Sequence, residues 1–244
     1  MSRSELLASN SRLNNTETSL TSNGSSRNNT DLALCRSCCE AADLRKEVLS
    51  RQLFFDQVAE AWEEEHRESA PDSKMARLLE RLELKPGQMV LDAGCGTGRL
   101  VPFISGKIGP EGKLIAVDVS SNMLKIARQK FNFHNVVFIQ ADVCELDAAE
   151  LFDRVICLCL FPHLPDKERG LRAFKNYLKP DGQLIIAHTA SREEVNSYHA
   201  RLPEPICYDQ LPDRNQMINL LQKTGFKLLE LEESDVYFLR ATPG

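Results

Sequence analysis

The chain has 244 residues, 42% of them hydrophobic, and a formal net charge of −5 at pH 7. That is apolar material for one catalytic-size domain plus an appendage, without the broad basic surface of a phosphate-backbone binder, so nucleic acid is not an expected partner. No apolar run approaches the roughly 20 residues of a membrane span, and the N-terminus lacks the apolar centre of a signal peptide, so no membrane partner and a cytoplasmic location are expected.

Residues 1–42 include "SNSRLNNTETSLTSNGSSRNNT", Ser, Asn and Thr with almost nothing to bury, and read as a disordered tail. Without a secretory signal, its three Asn-x-Ser/Thr sequons at Asn14, Asn23 and Asn28 are a by-product of that composition. Arg3, Arg12 and Arg27 keep an organelle transit peptide open, against Glu5 and Glu17. The tail ends in "CRSCCE" with Cys35, Cys38 and Cys39, which lacks the second Cys pair of a zinc site. The other cysteines lie mostly in strand-like apolar runs, so reduced thiols are expected.

Residues 43–70 form the next unit, an N-terminal helical lid. In "LFFDQVAEAW", Leu53, Phe54, Val58 and Trp62 share one helical face. From 71 to 244, after the turn "KPG", the runs "QMVLDAG", "KLIAVDV", "VVFIQAD", "DRVICLCL" and "GQLIIAH" alternate with amphipathic stretches such as "SSNMLKIARQKF" and "DKERGLRAFKNYL". Five nearly continuous apolar strands separated by helices predict an α/β fold with a parallel sheet covered on both faces. "PDRNQMINLLQKTGF" predicts a helix with Asp213 as N-cap and Gly225 past its end. "KLLELEE" and "DVYFLRAT" then predict a closing antiparallel hairpin.

Ligands of such sheets bind beyond the carboxyl ends of the strands. There "LDAGCGTGR" places Gly94, Gly96 and Gly98 at alternate positions behind Asp92, a tighter spacing than the Gly-x-Gly-x-x-Gly of dinucleotide binders. Asp118 ends the second strand, where a carboxylate can accept bonds from both ribose hydroxyls, and Asp142 ends the third. Three acids and a glycine loop suit adenosine joined to a cation, which is S-adenosylmethionine.

In "VLDAGCGTG", "AVDVS", "QADV", "DRVICLCLFPHLPD" and "LKPDGQLIIAH", taken in order, the chain resembles the class I S-adenosylmethionine-dependent methyltransferases, particularly their small-molecule, quinone-biosynthesis branch. The resemblance runs from about Phe54 to the C-terminus. It implies a Rossmann-like seven-stranded, mostly parallel sheet with an antiparallel last strand. It also implies that Gly94, Gly96 and Gly98 meet the methionine part, with Asp92 nearby. Asp118 would take the ribose, Val119 and Met123 would lie beside the adenine, and Asp142 with the Val143 N–H would meet the adenine edge.

A sulfonium methyl is already electrophilic, so few residues need do chemistry. His163, in "CLFPHLPD" after the fourth strand, is the candidate base or acceptor ligand. In "AHTASREEVNSYH", His188 ends the fifth strand. A helix begun by Ser191 would set Arg192, Asn196 and His199 on one face, polar groups suited to a small polar or anionic acceptor. No spacing supports a metal site among the histidines.

Two other readings stand beside this one. Cys159, at the end of the fourth strand, and Cys207, in "PEPICYDQLPD", are placed like thiols of arsenite methyltransferases, and soft thiolates suit a trivalent metalloid. A fold-retaining scaffold that holds the cofactor without turnover is the reading from another class.

Overall fold

The apolar runs pair as a seven-stranded sheet in a computed structural model that describes residues 36–66, 73–148 and 151–244. Its strands are β1 (Met89–Ala93), β2 (Lys113–Asp118), β3 (Val136–Gln140), β4 (Phe152–Leu158), β5 (Leu178–His188), β6 (Phe226–Glu233) and β7 (Tyr237–Pro243). Their spatial order is β3-β2-β1-β4-β5-β7-β6. Pairings are parallel from β3 through β5, while β7 slots antiparallel between β5 and β6. Asp43–Gly244 forms one compact unit.

Because successive strand residues face opposite sides, the apolar runs feed two cores. Leu91, Ile115, Val155, Leu184 and Leu239 pack on one face with α5 (Lys167–Tyr177) and α7 (Arg214–Thr224) through Phe174 and Leu221. Val90, Leu114, Ile156, Ile185 and Phe238 pack on the other with α2 (Ser73–Arg81), α3 (Val101–Ile108) and α4 (Ser121–Lys130) through Leu78, Ile104 and Leu124. Helices α2 and α3 were not assigned from the sequence.

Local chemistry sets the ends of the remaining helices. Asp213 caps α7 reciprocally with Gln216, and Gly225 closes it in the left-handed region at φ 76°. Ser191 and Glu194 form the same capping box on α6 (Arg192–His199).

The N-terminal helix departs from expectation twice. Helix α1 begins at Arg36, inside the span assigned to a disordered tail, so the helical phase extends across Cys38 and Cys39. Its inward line is also rotated. Leu53 is 52% exposed, whereas Ala59 and Glu63 are buried. Polar partners on the sheet's carboxyl edge decide that rotation: Glu63 meets the Lys130 ammonium at 2.8 Å, and the Asp56 carboxylate accepts from the Ser120 hydroxyl at 2.6 Å. The expectations for residues 1–35, with Cys35, and for the end of the lid at 67–70 lie outside the described residues. Among the described residues, no helix is long and apolar enough to cross a membrane.

Candidate functional site

The chain leaves β1 through a loop that only glycine accommodates. Gly94, Gly96 and Gly98 all have positive φ, at 70°, 54° and 83°. The N–H groups of Gly94 and Cys95 donate to the Val117 carbonyl at 2.8 and 2.9 Å, folding the loop across the tip of β2. A side chain at Gly94 would strike Leu160 at 2.9 Å and one at Gly98 the Phe131 ring at 3.0 Å, whereas Gly96 faces open space. The bare main chain at Gly96 is the face a ligand can approach.

Two acids stand behind it. Asp118 accepts from the Gly96 N–H at 2.8 Å and the Ser120 N–H at 2.9 Å. Burial nevertheless pushes its carboxyl up to about 6. Asp92 is 1% exposed, and its Oδ2 has no hydrogen-bond partner. Burial, reinforced by the charge of Asp118, pushes its carboxyl up to about 7. A buried carboxylate oxygen with no donor lacks a cation or a hydroxyl. S-adenosylmethionine, with its ammonium, sulfonium and ribose diol, has the chemistry to meet both acids.

Met123 is buried one turn into α4, and the Val119 carbonyl accepts from the Gln140 amide at 3.3 Å. Asp142 caps the 3-10 turn Val143–Glu145 through the Cys144 N–H at 2.9 Å, and its other oxygen meets Arg169 at 3.1 Å. Val143 is buried, and its carbonyl accepts from the Tyr177 hydroxyl at 3.1 Å.

A second polar cluster forms after β4 and β5. His163 ends the 3-10 turn Phe161–His163, and its Nδ1 lies 2.8 Å from Asp209 Oδ2. Asp209 is 2% exposed and is held by Arg51 of α1, with Nη2 to Oδ1 at 2.5 Å and Nε to both oxygens at 3.2 Å. Burial alone would raise that carboxyl, but the bonds from His163 and Arg51 outweigh it and hold it below the usual range. The His199 ring lies 4.8 Å from that of His163, and its Nδ1 is 2.7 Å from the Asp209 carbonyl. Burial pushes His188 down to about 3, with further repulsion from His163 and His199, so it is a neutral imidazole, and its Nε2 is buried without a partner. Phe55 of α1 packs edge-on against His163 at 5.0 Å.

The other residues of the expected acceptor set are engaged elsewhere. Arg192 pairs with Glu193 and, at 3.5 Å, with Glu233. Asn196 is bound through both ends of its amide to the Leu211 main chain, at 3.1 and 2.8 Å. Arg51, Asp56 and Asp209 were missed in the sequence. A row at every fourth residue through Arg51, Phe55, Ala59 and Glu63 was the available signal for α1, masked by the apolar Leu53–Phe54 pair.

Cys95, Cys144, Cys157, Cys159 and Cys207 are free thiols. Burial raises Cys159 and lifts Cys157 well above the usual thiol range, which disfavours thiolates at the end of β4. Among the described residues, no group of three His, Cys, Asp or Glu is arranged to hold a metal ion.

The chain is similar to known proteins in sequence and in fold. A family model described as "Methyltransferase domain" matches residues 84–235. The methyltransferase GfsG of Streptomyces halstedii is 31% identical over 166 residues, covering 64% of this chain and 59% of its own, so the chain spans less than two thirds of that relative. A demethylmenaquinone methyltransferase of Staphylococcus carnosus is 28% identical over 181 residues, covering 64% of this chain and 75% of its own. The crystal structure of magnesium protoporphyrin IX methyltransferase from Synechocystis PCC 6803 with bound S-adenosylmethionine superposes with a TM-score of 0.59 at 17% identity, over 81% of this chain and 97% of that one. At that identity the likeness is one of fold.

Proposed function

The chain belongs to the S-adenosylmethionine-dependent methyltransferase family, whose domain model covers residues 84–235, and on that premise we propose that it transfers a methyl group from S-adenosylmethionine to a small-molecule acceptor. The observation that carries this reading is the partnerless buried oxygen of Asp92 beside Asp118, behind a glycine loop open at Gly96. Asp92 and the main chain of residues 94–98 would hold the methionine part. Asp118 would hold the ribose hydroxyls, Val119 and Met123 the adenine face, and Asp142 with the Val143 N–H its edge. The relative named for demethylmenaquinone supports a small acceptor.

S-adenosylmethionine supplies a methyl already activated by a positively charged sulfur. What remains for the chain is to align a nucleophile, exclude water and take up its proton. His163 would take the proton, and His188, with its unpartnered Nε2, would orient the acceptor. His199 stands beside His163. Arg192 and Asn196, already engaged, would serve at the margin of that site, not at its centre.

The test is incubation with methyl-labelled S-adenosylmethionine and a small-molecule cell extract, with arsenite as a separate arm. The reading expects a labelled low-mass organic product together with S-adenosylhomocysteine. Label on arsenic would favour the metalloid reading, and cofactor binding with no transfer to any arm would favour a non-catalytic scaffold.

A further inference from the structure

The cluster around Asp209 goes beyond a lone histidine facing an acceptor. We propose that Asp209 and Arg51 are positioning residues that fix His163 with its proton on Nδ1 and a free lone pair on Nε2. The acceptor would then be a molecule whose reacting oxygen, nitrogen or sulfur carries a proton that His163 removes. This rests on the methyl-transfer reading above, and adds to it the residues that position His163 and the class of nucleophile.

Donor and acceptor inventories orient the cluster. Arg51 has only donors to offer and Asp209, ionised, only acceptors, so the carboxylate is oriented by Nε and Nη2 of the guanidinium. Its Oδ2 then lies 2.8 Å from His163 Nδ1, and an acceptor at that position requires the ring to carry its proton there. Nε2 is left as the basic nitrogen, and among the described residues it has no hydrogen-bond partner. His199 is tied by the same logic, since the Asp209 carbonyl can only accept from its Nδ1.

The groups around His163 and its partner Asp209 come from five elements. They are Arg51 and Phe55 on α1, Asp209 on the loop before α7, His199 on α6, His188 at the end of β5, and Lys167 at the start of α5, whose ammonium is held by the Pro162 and Leu164 carbonyls at 3.2 and 3.3 Å. Only Asp209 among them is an acid. Arg51 orients that acid, and the acid in turn fixes the tautomer of the ring.

The step balances without any oxidant or reductant. The acceptor's X–H proton passes to Nε2, the electron pair of X forms the bond to the methyl carbon, and the pair of the carbon–sulfur bond stays on sulfur as a neutral thioether. Imidazolium then returns the proton to water.

Arg51 also makes the test sharp. In Asp209→Asn the amide oxygen is drawn to the Arg51 donors, so the amide NH2 faces His163 Nδ1 and forces the proton onto Nε2. The full chain is labelled with 15N-histidine, loaded with S-adenosylhomocysteine, and the His163 ring, identified by its loss in His163→Gln, is read by long-range proton–nitrogen NMR near neutral pH. Wild type is expected to carry its proton on Nδ1, and Asp209→Asn on Nε2, with cofactor affinity by calorimetry within about threefold of wild type. An Nε2–H ring in wild type, or an unchanged tautomer in Asp209→Asn with affinity intact, overturns the proposal. So does a labelled product methylated at an atom that carried no proton, such as a thioether sulfur. If the cofactor does not bind wild type at all, the methyltransferase reading itself fails, independently of the tautomer.

Discussion

Asp92 links stability and binding most directly. Its carboxyl titrates near 7 in the fold, above an ordinary aspartate, so its contribution to stability is full at acid pH and is lost as pH rises through about 7. Binding a cation needs the ionised form, so cofactor affinity should fall as pH drops from 8 to 6. Asp92→Asn should then stabilise the unliganded protein at pH 8 by about 1–3 kcal/mol, read by denaturant titration, while weakening cofactor binding at least tenfold. A destabilised variant would mean that Asp92 has a structural partner. Asp118→Ala should abolish measurable cofactor binding, and unchanged affinity would remove its ribose role. These acids were legible because a strand tip fixes where a carboxylate points. Asp209 was not, because its partners lie 46 and 158 positions away in sequence, and nothing local marks such a pairing.

At the scale of elements, the glycine loop and α1 make different demands. Gly94→Ala combines a left-handed φ with a contact against Leu160, and should cost about 1–2 kcal/mol of stability as well as cofactor affinity. Asp56 of α1 acts at the start of α4, where its carboxylate accepts from the Ser120 hydroxyl and, at 3.0 Å, from the Asn122 N–H, while Ser120 accepts from Met123 N at 3.1 Å. Asp56→Ala should cost about 1 kcal/mol, seen as a lowered melting temperature, and should weaken cofactor binding because Ser120 also donates to Asp118. An unchanged melting temperature would show that this cap contributes nothing. The caps of α6 and α7 could be read from residues three positions apart. The rotation of α1 could not, because its inward face is set by partners on other elements and includes Arg51, Asp56 and Glu63 where hydrophobicity points to Leu53.

For the whole molecule, the sheet order follows from sequence to a large degree. Apolar strands separated by helices leave few topologies once crossovers are right-handed, and the closing β6–β7 pair was legible as a hairpin. What the pattern cannot encode is insertion of β7 between β5 and β6, since hydrophobicity gives each strand its burial and not its neighbours. The assembled carboxyl edge carries the central claim, a cradle for an adenosyl sulfonium and not a dinucleotide. With S-adenosylmethionine at about 100 times its Kd, linkage gives about 2.7 kcal/mol and a rise of roughly 5–10 °C in melting temperature. The most direct test is calorimetric titration at pH 7.5 with S-adenosylmethionine and, separately, with NAD+. One-to-one binding of the first and no heat from the second is the predicted result; saturable binding of NAD+ with none of S-adenosylmethionine would contradict it.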